Sequence, residues 1–112
     1  MKKREIIKSS RDYTKIINTN NAKRNKYYSI YYCKTREDNK YGISIPKKTG
    51  TAVQRNKIKR RIKNIIDNNK NIVQKGYEYV IIVKKGIIDL TYQEMEKELL
   101  KLLSIGDKIE KK

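Results

Sequence analysis

The 112-residue chain has no His, Trp or Phe, one Cys, one Pro and five Gly. Without histidine, the commonest general acid–base side chain is missing. The lone Cys33 excludes an internal disulfide and a cysteine zinc cluster; its place in YYSIYYC marks it as a half-buried strand residue. No apolar run approaches the eighteen or so residues of a membrane-spanning helix. The opening MKKREIIKSS lacks the apolar stretch of a signal peptide, so the chain is expected in the cytoplasm. With 37% apolar residues, this length supports one compact domain with a modest core.

What the chain has in excess is positive charge, and it is placed unevenly. Residues 1–75 carry 22 Lys and Arg against 5 Asp and Glu, whereas residues 76–112 carry 7 against 7, so the whole net charge of +17 sits in the first two thirds. That asymmetry points to a polyanion partner. A general bias toward Ile, Lys, Asn and Tyr would inflate lysine everywhere. It explains neither the balanced last third nor the clustering of Arg55, Arg60 and Arg61.

Periodicity divides the chain into short elements. Tyr13, Ile16 and Ile17 recur at helical spacing, and Ser9 with Asp12 three residues on fits a capping signal, so a helix is expected over about 10–19. NTNNAKRN reads as a polar loop. YYSIYYC, 27–33, is a strand with Tyr28, Ile30 and Tyr32 on one face and Tyr27, Ser29, Tyr31 and Cys33 on the other. After the turn KTREDNK, KYGISIP repeats the pattern, with Tyr41, Ile43 and Ile45 opposite Gly42 and Ser44, and Pro46 at the strand's end. A capping box of Thr51 and Gln54 starts a helix near Ala52 that should reach about Val73 and be closed by Gly76. YEYVIIVK, 77–84, is a strand buried on both faces. Thr91 and Glu94 cap a last helix whose stripe is Tyr92, Met95, Leu99, Leu102 and Leu103, and the tail GDKIEKK is expected to fray. The order is α-β-β-α-β-α, with room for a short extra strand around 35–46: an α+β domain with helices packed on a sheet.

The stretch TAVQRNKIKRRIKN, 51–64, holds six Lys or Arg and no acid. Helical projection puts Ile58, Ile62, Ile65 and Ile66 on one buried stripe. Asn56, Lys59, Arg60 and Lys63 share an adjacent face, Arg55 can swing toward it, and Lys57 and Arg61 fall on the far side. Like charges at this spacing repel by a few tenths of a kcal/mol per pair, and no carboxylate occurs between Asp38 and Asp67 to offset them. A polyanion relieves that repulsion, aided by the open amides of the first helical turn. Asn56 adds no charge; it is suited to a fixed hydrogen bond to a base or sugar edge, or within the protein.

A second surface follows from strand alternation. Ser29, Tyr31 and Ser44 share one sheet face, and a helix packed on it would project Tyr13 and Ile17 toward the same region. Bordered by Lys47 and Lys48, this is a candidate platform for single-stranded nucleic acid, with bases stacking on tyrosine and cations tracking the backbone.

At this point the chain resembles a known family. KKTGTAVQRNKIKRRIK is similar to the signature of the bacterial ribonuclease P protein subunit, matched by Lys47, Lys48, Gly50, Ala52, Val53, Arg55, Asn56, Lys59 and Arg60, and the likeness runs nearly from end to end. The resemblance implies a single-domain α-β-β-β-α-β-α fold, like the second domain of a small-subunit ribosomal protein. It also implies a left-handed crossover through the basic helix, against the usual right-handed rule. It implies that Arg55, Asn56, Lys59, Arg60 and Lys63 bind ribonuclease P RNA, in a 1:1 complex. By the same resemblance Tyr13, Ile17, Ser29, Tyr31, Ser44, Lys47 and Lys48 bind the single-stranded 5′ leader of precursor tRNA. Departures are Lys63 and Lys40 in place of Arg, Tyr13 and Ile17 in place of two Phe, and Pro46 in place of Ser. Lys63 loses the bidentate fork of arginine, and Ile17 cannot stack.

The implied chemistry is hydrolysis of one phosphodiester to release the leader. The basic region has few carboxylates for Mg²⁺, so the implied Mg²⁺ is expected on the RNA and substrate, with no catalytic residue in the protein. Rival readings are another structured-RNA binder of similar fold, a double-stranded DNA binder and an independent nuclease. The DNA reading lacks a dimerisation element and base-reading side chains on the helix's outer face. The nuclease reading lacks an acid–base pair.

Overall fold

Alternating apolar strands followed by amphipathic helices dictate a sheet with helices on both faces, and a computed structural model shows how they are arranged. It describes residues 1, 3–7, 9–19 and 21–109, the last six for the backbone only. The elements are α1 (Ser10–Asn18), β1 (Ala22–Arg24), β2 (Tyr28–Lys34), β3 (Lys40–Ser44), α2 (Ala52–Asn68), β4 (Tyr77–Val83) and α3 (Tyr92–Ile109). This is the α-β-β-β-α-β-α order that the resemblance implied. The four-stranded sheet runs β1-β2-β4-β3. β2 is antiparallel to β1 and β4, and β3 is parallel to β4, so α2 is the crossover connecting two parallel neighbours.

Alternation places the residues of β2, β3 and β4 on the expected faces; Tyr27, read as part of the β2 strand on the Tyr31 face, precedes the strand and packs against the larger core instead. The larger core lies between the sheet and the pair α2 and α3, and gathers Tyr28, Ile30, Tyr41, Tyr79, Ile81 and Val83 from the strands. From α2 come Ile58, Ile62, Ile65 and Ile66, and from α3 Met95, Leu99, Leu102 and Leu103. Each fully buried Ile or Leu contributes roughly 1.5–3 kcal/mol relative to its exposed state. The opposite face, with Val80 and parts of Tyr31, Cys33 and Ile82, packs under α1 through Ile16, with Tyr13 and Ile17 beside it. Cys33 is half-buried, as expected.

Three boundaries depart from the sequence reading. The segment read as the loop NTNNAKRN contains β1, which pairs Ala22 with Tyr31 and Arg24 with Ser29. Three residues carry no usable periodicity; the pairing is supplied by β2 and fixed by Asn25, whose Oδ1 accepts from the Tyr27 and Tyr28 amides at 2.9 Å each. The third strand thus precedes β2 and does not lie within 35–46 beside β3. Secondly, α2 stops at Asn68, because Asn69 turns out of the helix and its side chain takes the Ile65 carbonyl at 2.7 Å. Gly76 lies eight residues beyond, at φ +90°, and serves the turn into β4, not the helix cap. Thirdly, α3 continues to Ile109 where fraying was expected from residue 106; the rest of that tail lies outside the described residues.

Candidate nucleic-acid interface

The capping box expected at the start of α2 is formed. Thr51 Oγ1 accepts from the Gln54 amide at 3.2 Å and Gln54 Oε1 from the Thr51 amide at 2.8 Å. The box occupies the Gln54 amide, and the Arg55 amide bonds the Thr51 carbonyl. The amides suited to phosphate in this turn therefore narrow to Ala52 and Val53, both exposed residues. Arg55 is half-buried, and its Nε donates to the Gly50 carbonyl at 3.2 Å. That bond ties the arginine back over the turn and fixes the direction of its fork.

α2 presents its charge as the projection required. Asn56, Lys59 and Arg60 are exposed, whereas Lys63 is half-buried. Arg61, placed on the far side from sequence, is half-buried against α3, with Nη1 3.9 Å from Met95 Sδ.

On the other side of the sheet edge, Tyr13 of α1 reaches across β3. Its ring lies over Gly42: a Cβ there would stand 2.5 Å from Tyr13 Oη and 2.6 Å from Cζ. Burial raises the Tyr13 hydroxyl pKa, and a hydrogen bond with the Ile43 backbone pulls it partly back. The phenol is therefore neutral and carries no charge against a phosphate. Tyr13, Ile43, Ser44 and Ile45 line one cavity of about 360 Å³ together with Arg55, Asn56 and Lys59. The two surfaces that the sequence suggested separately, the basic helix and the aromatic platform, share this cleft.

The remaining platform residues are dispersed. Ser29 is only 9% exposed and lies on β2, outside the cleft lining. Ile17 is half-buried among the apolar residues under α1. Lys47 and Lys48 are exposed on a short 3₁₀ turn preceding α2. Tyr31 does not line the cleft; it lies on β2, separated from β3 by β4. Its neighbour is Arg24, a residue that sequence reasoning missed. The Arg24 guanidinium stands 5.5 Å from the Tyr31 ring centre and donates to its hydroxyl at 3.2 Å. The signal was present as a basic residue ahead of an Asn turn, but only pairing with β2 puts it on the Tyr31 face.

Comparison with known proteins places the chain in a family. A family model described as Ribonuclease P matches residues 1–106. The chain belongs to the ribonuclease P protein family. Its members are protein components of a tRNA-processing ribonuclease. The ribonuclease P protein component of Streptococcus agalactiae is 37% identical over 107 residues, covering 95% of this chain and 97% of that protein. The fold is shared with the RNase P protein of Thermotoga maritima at 28% identity and TM-score 0.83, over 89% of this chain and 96% of that one. It is also shared with a Staphylococcus aureus RNase P protein mutant with defective mRNA degradation activity, at 29% identity and TM-score 0.86, over 94% and 90%. The family match spans α1 and α2 alike, and the shared fold is the one that brings α2 beside Tyr13.

Proposed function

We propose that this chain assists ribonuclease P RNA in removing the 5′ leader of precursor tRNA by holding both RNAs at one cleft. The observation that supports it is the convergence of Tyr13 and Ser44 with Arg55, Asn56 and Lys59 on a single concavity. In this reading Arg55, Asn56, Lys59, Arg60 and Lys63 bind the RNA subunit, while the cleft takes the single-stranded leader. A leader base stacks on Tyr13, Ser44 offers a hydroxyl to a phosphate or sugar, and Tyr31 with Arg24 forms a second station on the same sheet face. Lys47 and Lys48 screen the approaching backbone.

The protein's contribution is electrostatic and positional. Two RNAs brought to one reaction centre repel each other, and a cationic wedge between them lowers that repulsion while fixing the leader's path. Among the described residues there is no group of three Cys, Asp or Glu side chains able to hold a cation. The described residues thus offer no ready Mg²⁺ cage, and the reading leaves Mg²⁺ with the RNA and substrate.

Reconstitution tests the proposal. The protein is added to ribonuclease P RNA at low Mg²⁺ and cleavage of precursor tRNA is measured. Stimulated cleavage is expected, with a larger gain in affinity for precursor than for mature tRNA. Absence of stimulation would falsify the assignment.

A further inference from the structure

α2 and α3 both start in capping boxes of the same geometry, but the two boxes differ in charge. At α3 the Thr91 amide donates to Glu94 Oε1 at 2.9 Å, and the Glu94 amide donates to Thr91 Oγ1 at 3.2 Å. At α2 the matching distances are 2.8 and 3.2 Å, with Gln54 where α3 has a glutamate. Either side chain closes such a box, and a carboxylate also favours the positive end of a helix. The first turn of α2 nevertheless holds no acid. Capping alone does not account for the glutamine.

The geometry around Gly50 supplies a second requirement. Gln54 Oε1 accepts from the Thr51 amide, and Arg55 Nε donates to the Gly50 carbonyl at 3.2 Å. That N–H and that C=O belong to one planar peptide group, the unit joining Gly50 to Thr51. Two consecutive side chains therefore grip opposite edges of the same plane. With its N–H held by Gln54, the plane cannot turn its carbonyl away from Arg55. Gly50 leaves room for this grip, since a Cβ there would stand 2.5 Å from Gln54 Oε1. The arginine so directed lines the cleft with Tyr13, Asn56 and Lys59.

A carboxylate in place of the Gln54 amide would make the same bond. It would also lie one peptide group away from Arg55 and offset part of its charge. The neutral amide holds the peptide and leaves the cation to its ligand.

We propose that Gln54 is a positioning residue for RNA binding. It locks the Gly50–Thr51 peptide, thereby aims the Arg55 guanidinium, and keeps the start of α2 free of negative charge. This rests on the reading that Arg55 binds the RNA subunit, and adds a residue outside that contact set.

The experiment measures affinity for ribonuclease P RNA across a salt series, together with the thermal midpoint. The variants are Gln54→Glu, Gln54→Ala, Arg55→Ala and the Gln54→Ala, Arg55→Ala pair. The control, Glu94→Gln, makes the reverse exchange in the box at α3. Gln54→Glu should keep or raise the thermal midpoint yet bind RNA about three- to tenfold more weakly at low salt. That gap should narrow as salt screens the added charge. A merely structural cap would not separate stability from affinity in this way. Gln54→Ala should weaken binding too, but add little in the Arg55→Ala background, because its effect passes through that arginine. Glu94→Gln should leave RNA affinity unchanged.

Wild-type affinity in Gln54→Glu, or fully additive losses in the paired variant, overturns the proposal. A loss in Glu94→Gln equal to that in Gln54→Glu assigns the effect to capping alone and overturns it as well. If Arg55→Ala binds RNA like wild type, the reading of Arg55 as an RNA contact fails first, and this proposal with it.

Discussion

The Tyr13 ring lies against Gly42 so closely that a methyl group on Gly42 would fall 2.5 Å from the phenolic oxygen. A helix residue and a strand residue, 29 positions apart, thereby define the aromatic wall of the cleft. Glycine is used here for the space it leaves, since its backbone is an ordinary strand. Gly42→Ala is expected to push Tyr13 aside, because the far end of a side chain moves more easily than the sheet. Precursor tRNA affinity should fall as far as in Tyr13→Ala, with the thermal midpoint nearly kept. A variant that keeps precursor affinity would show that Tyr13 is not the stacking surface.

Tyr13→Ala and Tyr31→Ala should each weaken precursor binding by roughly 5- to 150-fold, the equivalent of about 1–3 kcal/mol per stacked base. Mature tRNA, which has no leader, should bind unchanged. Equal losses on both substrates would remove the leader from this face. Arg24→Ala should act in the same direction as Tyr31→Ala, and the double variant should be less than additive because the two side chains touch.

On α2, Lys59→Gln with Arg60→Gln should weaken docking to the RNA subunit and lower its salt slope by roughly 0.7–0.9 for each phosphate left without its cation. Leader selectivity, measured as the ratio of precursor to mature tRNA affinity in the assembled enzyme, should stay close to wild type. An unchanged slope would move RNA docking off this face.

Asn39→Ala removes the acceptor for two backbone amides and the donor to Gln74. The Gln74 carbonyl keeps the Tyr79 hydroxyl at 2.6 Å, but leaving the two amides without their acceptor should cost about 1–3 kcal/mol, read as a lower thermal midpoint. Hydrogen exchange at Gly76 and Tyr77 should accelerate as well. Unaltered protection there would mean that the turn into β4 is held by other interactions.

Burial raises the pKa of Tyr28 and Tyr41; for Tyr28 the nearby Glu98 carboxylate adds to it. Folding therefore favours the neutral phenols. Their contribution to stability is complete below the unfolded tyrosine pKa of about 10, and is lost as pH rises through the higher folded values. Thermal stability should be flat across the neutral range and decline above about pH 10. Tyr28→Phe should lose about 0.5–1.5 kcal/mol at neutral pH with its bond to the Met95 carbonyl, and should show a shallower alkaline decline. An alkaline decline as steep as wild type would assign it to other groups.

The sequence by itself determined the two faces of β2 and β3, the burial of β4 on both sides, the isoleucine stripe of α2, both capping boxes and the concentration of charge on one helix. These are local properties: side-chain periods of 2 and 3.6 residues and turn chemistry act within a few positions. The family signature lay within one such segment, so it was legible as well. Only the tertiary structure decided that β1 exists, because three residues become a strand when β2 offers them partners. Through that pairing it placed Arg24 on Tyr31. It also decided that Tyr13 meets Asn56 and Lys59 while Tyr31 does not. Such neighbours are set by strand order and by the crossover through α2. Those long-range choices depend on how separate apolar faces are buried together, which no single segment encodes.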